Sequence, residues 1–155
     1  MFKFSIYNFN QFNMLEKLFL QNNNTNKNLV LMCIGTNSYF NDCFGVKLGD
    51  ELKKLNFYVY GSTKREINGT NFMQVYNFIK NKHKNSKIII LDSVYLKGDK
   101  KPMLIYKNSP INVAGLNSKY LIGDEGILFN SFSYSKLEYI NNAINLIKNM
   151  FLKLH

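Results

Sequence analysis

Arginine, histidine and cysteine are all scarce in this chain. Arg65 is the one arginine among 20 basic residues, in a protein of 155 residues with a net charge of +10. Specific readout of bases and phosphates favours the bidentate, stacking guanidinium. The lysines are spread along the chain with no run longer than two, and do not collect into a stripe. They read as a solvated basic surface, and no nucleic-acid partner is expected. The abundance of Lys, Ile, Phe and Tyr, with 24 Asn, matches the residue usage of an AT-rich genome.

The two histidines, His83 in a basic turn and His155 at the end of the chain, give neither a base for a Cys–His enzyme nor a zinc ligand set. No Cys-x-x-Cys occurs. Cys33 lies in an apolar segment and Cys43 follows Asp42, so the pair reads as small core residues of a reducing cytosol, not as a disulfide framework. The Gly35–Gly45 segment lacks the G-x-G-x-x-G spacing, and no G-x-x-x-x-G-K-[ST] is present. Neither a cofactor nor a metal is expected. The longest apolar runs, Leu29–Ile34 and Ile88–Leu91, fall far short of the roughly 20 residues of a membrane span. Met1–Ile6 lacks the layout of a secretory leader. A cytoplasmic protein without membrane contact is expected. Asn68-Gly-Thr70 matches a glycosylation sequon by chance.

What is present is a chain 46% hydrophobic, long enough to bury about two thirds of its unfolded surface in one domain spanning residues 1–155. Within it, residues 1–28 form a helix and a polar loop leading into the remainder. Phe9, Phe12, Leu15, Leu18 and Phe19 recur at helical spacing, and the Gln21–Asn28 stretch is a polar loop. Leu29–Ile34 is a continuous apolar strand of the kind found inside a parallel sheet. A helix over about 43–55, a strand at Phe57–Tyr60, a helical stripe through Phe72, Val75, Tyr76 and Ile79, and a strand at Ile88–Leu91 follow. This β-α-β-α-β run predicts parallel strands with right-handed crossovers. Pro102–Tyr106 and Gly126–Phe129 read as further strands, with Ser109–Asp124 a long loop between them. Ser135-Lys-Leu-Glu138 is a capping box opening a last amphipathic helix. The predicted fold is α/β, a three-layer α/β/α sandwich around a mostly parallel sheet.

Two carboxylates occupy matching places. Asp42 follows the first apolar strand by a loop, and Asp92 follows the Ile88–Leu91 strand directly. Ligands in open α/β sheets gather at the carboxyl ends of strands flanking a switch point. Two close carboxyls do not ionise together easily, so one keeps a proton while the other can activate water for amide hydrolysis without a metal. Structural readings stand beside this one: Asp42 as a helix N-cap and Asp92 as the closure of an Asx-turn.

At these residues the chain resembles the YyaC-type sporulation proteins of spore-forming Firmicutes. The resemblance rests on Cys33-Ile-Gly-Thr, Asn41-Asp-Cys-Phe-Gly45, Val59-Tyr-Gly-Ser-Thr63 and Ile89-Ile-Leu-Asp-Ser93. Ser109-Pro, Ala114-Gly-Leu-Asn-Ser118 and Leu121–Asp124 add to it. That family is similar to the spore germination protease, which degrades small acid-soluble spore proteins, and more distantly to hydrogenase maturation peptidases. The resemblance implies a phosphorylase/hydrolase-like sandwich, a protein or peptide substrate, a mother-cell or forespore location, and Asp42 and Asp92 as the acting acids. It places Gly35, Thr36, Asn37, Asn41, Gly45, Ser93, Gly115 and Asn117 in the surrounding loops. Maturation peptidases bind nickel through an acid, a second Asp and a His. Tyr60 stands near the place of that second Asp, and no suitable His follows. The chain departs from the YyaC pattern at Asn37, Asn41, Val46, Ser93, Val94 and Lys97. The alternative to a peptidase is a non-catalytic sporulation module that binds a peptide or protein partner on the same fold.

Overall fold

Leu29–Cys33 (β2) is buried at every position and therefore sits inside a sheet, not at its rim. The computed structural model describes residues 1–24, 28–98, 101–113, 120–131 and 136–154. Around β2 the described elements are β1 (Phe2–Ser5), α1 (Phe9–Asn23), α2 (Phe44–Leu52), β3 (Tyr58–Tyr60), α3 (Phe72–Lys82) and β4 (Lys87–Tyr95). β5 (Met103–Lys107), β6 (Ile111–Asn112), β7 (Leu121–Ile122), β8 (Glu125–Ser131) and α4 (Leu137–Phe151) follow.

Six strands form one sheet in the order β1-β5-β8-β4-β2-β3. β3, β2, β4 and β8 pair in parallel, whereas β5 is antiparallel to both β8 and β1. The architecture is a mixed α/β fold on a mostly parallel sheet, as the strand-helix alternation predicts. β2 and β4 are neighbours in the register Cys33↔Leu91, so the carboxyl end of β2 lies beside the middle of β4.

Side chains alternate across the sheet and build two cores. Leu29, Leu31, Cys33, Ile89 and Leu91 face α1, α2 and α4, meeting Phe19, Leu48 and Ile147. Val30, Met32, Ile88 and Ile90 face α3 and the β6–β7 ribbon, meeting Phe72, Ile79, Ile111 and Ile122. Helices thus cover both faces, completing the three layers.

Three departures from the sequence reading have local causes. Residues 2–5 are a strand paired with β5, a segment too short to show a period. Asn8 caps the following helix by accepting the Gln11 N–H at 3.1 Å, and the Gln11 side chain accepts the Ser5 N–H at 2.7 Å, tying strand to helix. The Ser109–Asp124 stretch is not a plain loop, because β6 and β7 pair there with Ile111 opposite Ile122. The third apolar strand does not end at Leu91: β4 continues to Tyr95, where β8 pairs with it through Ser131. Ser135 of the expected capping box lies outside the described residues, and α4 has Lys136 at its N-cap without a side-chain bond. Among the described residues no helix is long and apolar enough to cross a membrane.

Candidate functional site

Asp42 is delivered to the carboxyl edge of the sheet by a tight loop. The Ile34 N–H donates to the Leu91 carbonyl at 2.8 Å, after which the chain turns away from β4. Gly35 takes φ +145°, a conformation that side chains rarely adopt, and a Cβ there would collide with the Asp42 carbonyl. Its N–H donates to the Ile67 carbonyl at 2.7 Å, and the Thr36 N–H donates to the Asp42 carbonyl at 3.0 Å. Asp42 then closes a 3-10 turn, Phe40–Asp42, which lies against β4 with Cα atoms within 8 Å.

The helix behind Asp42 is seated by glycine. A side chain at Gly45 would strike the Ile34 carbonyl and come within 2.7 Å of the Leu91 carbonyl. Only a residue without Cβ lets the first turn of α2 rest on the end of β2 and the middle of β4. That contact holds the turn carrying Asp42, three residues earlier, against β4, where Asp92 follows Leu91.

Asp92 lies within β4, not beyond it, opposite Leu128 of β8. It is 8% exposed, and its carboxylate accepts the Ser93 N–H at 2.7 Å. Burial pushes its pKa well above the usual carboxylate value, and the Asp42 charge pushes it further, against the smaller effect of the Ser93 N–H. Asp42 is half-buried. Its pKa is raised by burial first and by the Glu66 charge, while the Thr36 N–H works the other way. The Asp42 charge thus acts on Asp92, whereas Asp42 answers to its own burial, Thr36 and Glu66. Asp92, the more deeply buried, holds its proton more strongly.

Neither structural reading of these acids accounts for them. Cys43, not Asp42, occupies the N-cap of α2, and no side chain caps that helix. Asp92 is a strand residue whose carboxylate meets the next N–H, not the N–H two residues on that defines an Asx-turn.

The other expected loop residues divide. Thr36 and Asn37 join the site through Glu66: the Thr36 hydroxyl donates to Glu66 Oε2 at 2.9 Å and the Asn37 N–H to Oε1 at 2.7 Å. Asn41 lies exposed in the turn. Ser93 follows Asp92, so its side chain points to the opposite, α2-side face, where Oγ is buried without a hydrogen-bond partner among the described residues. Gly115 and Asn117 lie outside the described residues.

Glu66 is the residue that the sequence reading missed. It follows Lys64 and Arg65 in a loop, where a carboxylate reads as ordinary surface charge. Only the tertiary fold brings it against the Asp42 loop. Tyr39 (72% exposed), Phe40 (42%) and Tyr95 (62%) stand near the acids in sequence and present apolar surface to solvent.

The donor set does not fit nickel. Among the described residues no group of three or more His, Cys, Asp or Glu side chains could hold a metal ion. Tyr60 shares a 2.8 Å hydrogen bond with His83 Nε2 on the edge of the sheet. A cavity of about 590 Å³, lined by Asn23, Leu29, Leu55, Phe57, Phe151 and Leu154, lies at the other end of β2 and includes neither acid.

Residues 3–151 match the model of a family described as protein of unknown function (DUF1256), and the chain belongs to that family. No curated protein matches it by sequence. Its fold is similar to that of a [NiFe] hydrogenase maturation protease, HycI, from Thermococcus kodakarensis KOD1, solved by crystallography. The TM-score is 0.55 and the identity 16%, over 90% of this chain and 99% of that one. At that identity the likeness is one of fold, an α/β sandwich on a mostly parallel sheet.

Proposed function

We propose that this DUF1256 member is a sporulation protein of the YyaC type that cleaves a peptide bond with Asp42 and Asp92 as an unequal acid pair. The observation supporting the proposal is the seating of the turn that ends at Asp42 against β4, the strand that holds the buried Asp92. Asp42, half-exposed and the easier to ionise, is the general base that takes a proton from water. Asp92, buried and the harder to ionise, is the donor toward the carbonyl oxygen or leaving amine. Removing either group removes half of a proton relay. No metal step is needed, and among the described residues no group of three or more His, Cys, Asp or Glu side chains offers one.

The substrate class is a protein or peptide, with small acid-soluble spore proteins the first to try. The test is their hydrolysis by wild type, Asp42→Asn and Asp92→Asn. Loss of cleavage in both variants, with folding intact, supports the acid pair. Equal cleavage by wild type and Asp42→Asn ends it.

A second reading is a module that binds a peptide or protein partner without cutting it. It is favoured by the burial of Asp92 and by the position of the 590 Å³ cavity away from both acids. Binding of an uncleaved peptide, unaffected by Asp42→Asn, would select this reading.

A further inference from the structure

We propose that Glu66 is a positioning residue for Asp42: its two carboxylate oxygens clamp the loop that presents Asp42, and its charge faces that carboxylate. The catalytic meaning of this clamp rests on the acid-pair reading, whereas the clamp itself does not.

The clamp is built from both sides. One oxygen accepts the Thr36 hydroxyl at 2.9 Å and the other the Asn37 N–H at 2.7 Å. Thr36 in turn donates its N–H to the Asp42 carbonyl at 3.0 Å, and its hydroxyl accepts the Ser38 N–H at 3.3 Å. Glu66 thus reaches Asp42 through one residue, Thr36. Bonds to an ionised acceptor are among the stronger ones in proteins.

Glu66 is itself held in place. The Asn71 side chain donates to the Glu66 carbonyl at 3.0 Å and accepts the Asn68 N–H at 2.9 Å. The next residue, Ile67, is buried in the α3-side core and accepts the Gly35 N–H at 2.7 Å. A rigid support behind a functional loop is what holds a reacting group to sub-ångström placement.

The charge has a separate consequence. The ionisable groups that exchange electrostatic effects with Asp42 are Asp92 from β4, Glu66 from the loop after β3, and Cys43 from its own turn, with Lys47 on α2 acting on Cys43. Glu66 is the one of these that both touches the Asp42 loop and adds negative charge. It raises the proton affinity of Asp42, which makes Asp42 a stronger base once it is ionised.

The experiment uses the full chain and needs no substrate. Carboxyl ¹³C titration by NMR, with the Asp42 signal assigned by its loss in Asp42→Asn, is compared in wild type and Glu66→Gln. Gln keeps an acceptor for the Asn37 N–H but loses the charge, so the Asp42 midpoint moves to lower pH. Amide exchange at Asn37 is read in wild type, Glu66→Gln and Glu66→Ala. The Ala variant exchanges faster by about tenfold or more, as loss of a charge-assisted bond requires, while the Gln variant stays near wild type. An Asp42 midpoint unchanged or raised in Glu66→Gln overturns the electrostatic half. An Asn37 amide equally protected in Glu66→Ala overturns the clamp. If both readouts behave as expected but no peptide is cleaved, the catalytic reading fails and the clamp stands. Where cleavage is measurable, the acid limb of kcat/KM in Glu66→Gln moves to lower pH with the NMR midpoint.

Discussion

The carboxylate of Asp42, on the turn ahead of α2, acts electrostatically on the buried carboxyl of Asp92 in β4. Both groups are pushed toward their protonated forms, Asp92 further. The folded state therefore binds a proton at Asp92 more tightly than the unfolded chain, where an Asp titrates near about 3.9. Its contribution to stability is fully present below that value and is lost as pH rises through the folded midpoint. Asp92→Asn removes the effect. The stability of wild type minus that of Asp92→Asn, from urea unfolding at a series of pH values upward from about 4, should fall as pH rises. A difference that is flat or rises with pH would contradict the burial of this acid.

Glycine at position 45 is expected to be irreplaceable even by alanine. The added methyl would press on two main-chain carbonyls, Ile34 and Leu91, and neither can swing aside as a side-chain tip could. Gly45→Ala should cost about 3 kcal/mol, the upper end for overpacking. Gly69→Ala, with no atom within 4 Å of its new Cβ, should stay within about 0.5 kcal/mol. Denaturant midpoints of the two variants make the comparison.

At the opposite end of the sheet, Glu125 is wholly buried with both carboxylate oxygens occupied. Asn23 donates to one at 2.6 Å, Tyr106 to the other at 2.7 Å, and Lys87 Nζ stands 3.1 Å away. Lys87→Ala leaves a buried charge without its cation and should destabilise by about 3 kcal/mol. Glu51→Ala breaks the ion pairs to Lys54 and Lys148, all three being partly exposed, and should cost less than about 1 kcal/mol. Thermal unfolding distinguishes the two, and equal losses would contradict the contrast.

Both cysteines are free and buried, and burial raises both thiol pKa values. Neither should react appreciably with iodoacetamide at neutral pH in the folded protein, and both should react once it is unfolded in denaturant. Mass spectrometry of the labelled chain counts the adducts. Rapid labelling of Cys43 in the native state would mark it as exposed and activated, contrary to its setting beside Asp42.

The periodic parts of the fold were legible from the chain. Leu29–Ile34 and Ile88–Leu91 are apolar on both faces because they lie between two helical layers, and such runs leave few alternatives to a central strand. The stripes of α1 through α4 were equally readable. Short elements were not. β1, β6 and β7 hold four, two and two residues and take their conformation from their partners. Asp92 was placed beyond its strand because polar Asp-Ser ends the apolar run. Pairing with β8 nevertheless carries the strand on to Tyr95.

The sequence alone determined the layered α/β class and singled out Asp42 and Asp92, because hydrophobic periodicity and chain order are local properties. Tertiary structure decided which acid is buried, which charge acts on the other, that Asp42 does not cap α2, and that Asp92 does not close an Asx-turn. It also brought in Glu66, 24 positions from Asp42, whose role depends on the packing of one loop against another. Proton affinity depends on burial and neighbouring charge, and both come into being only when distant segments meet.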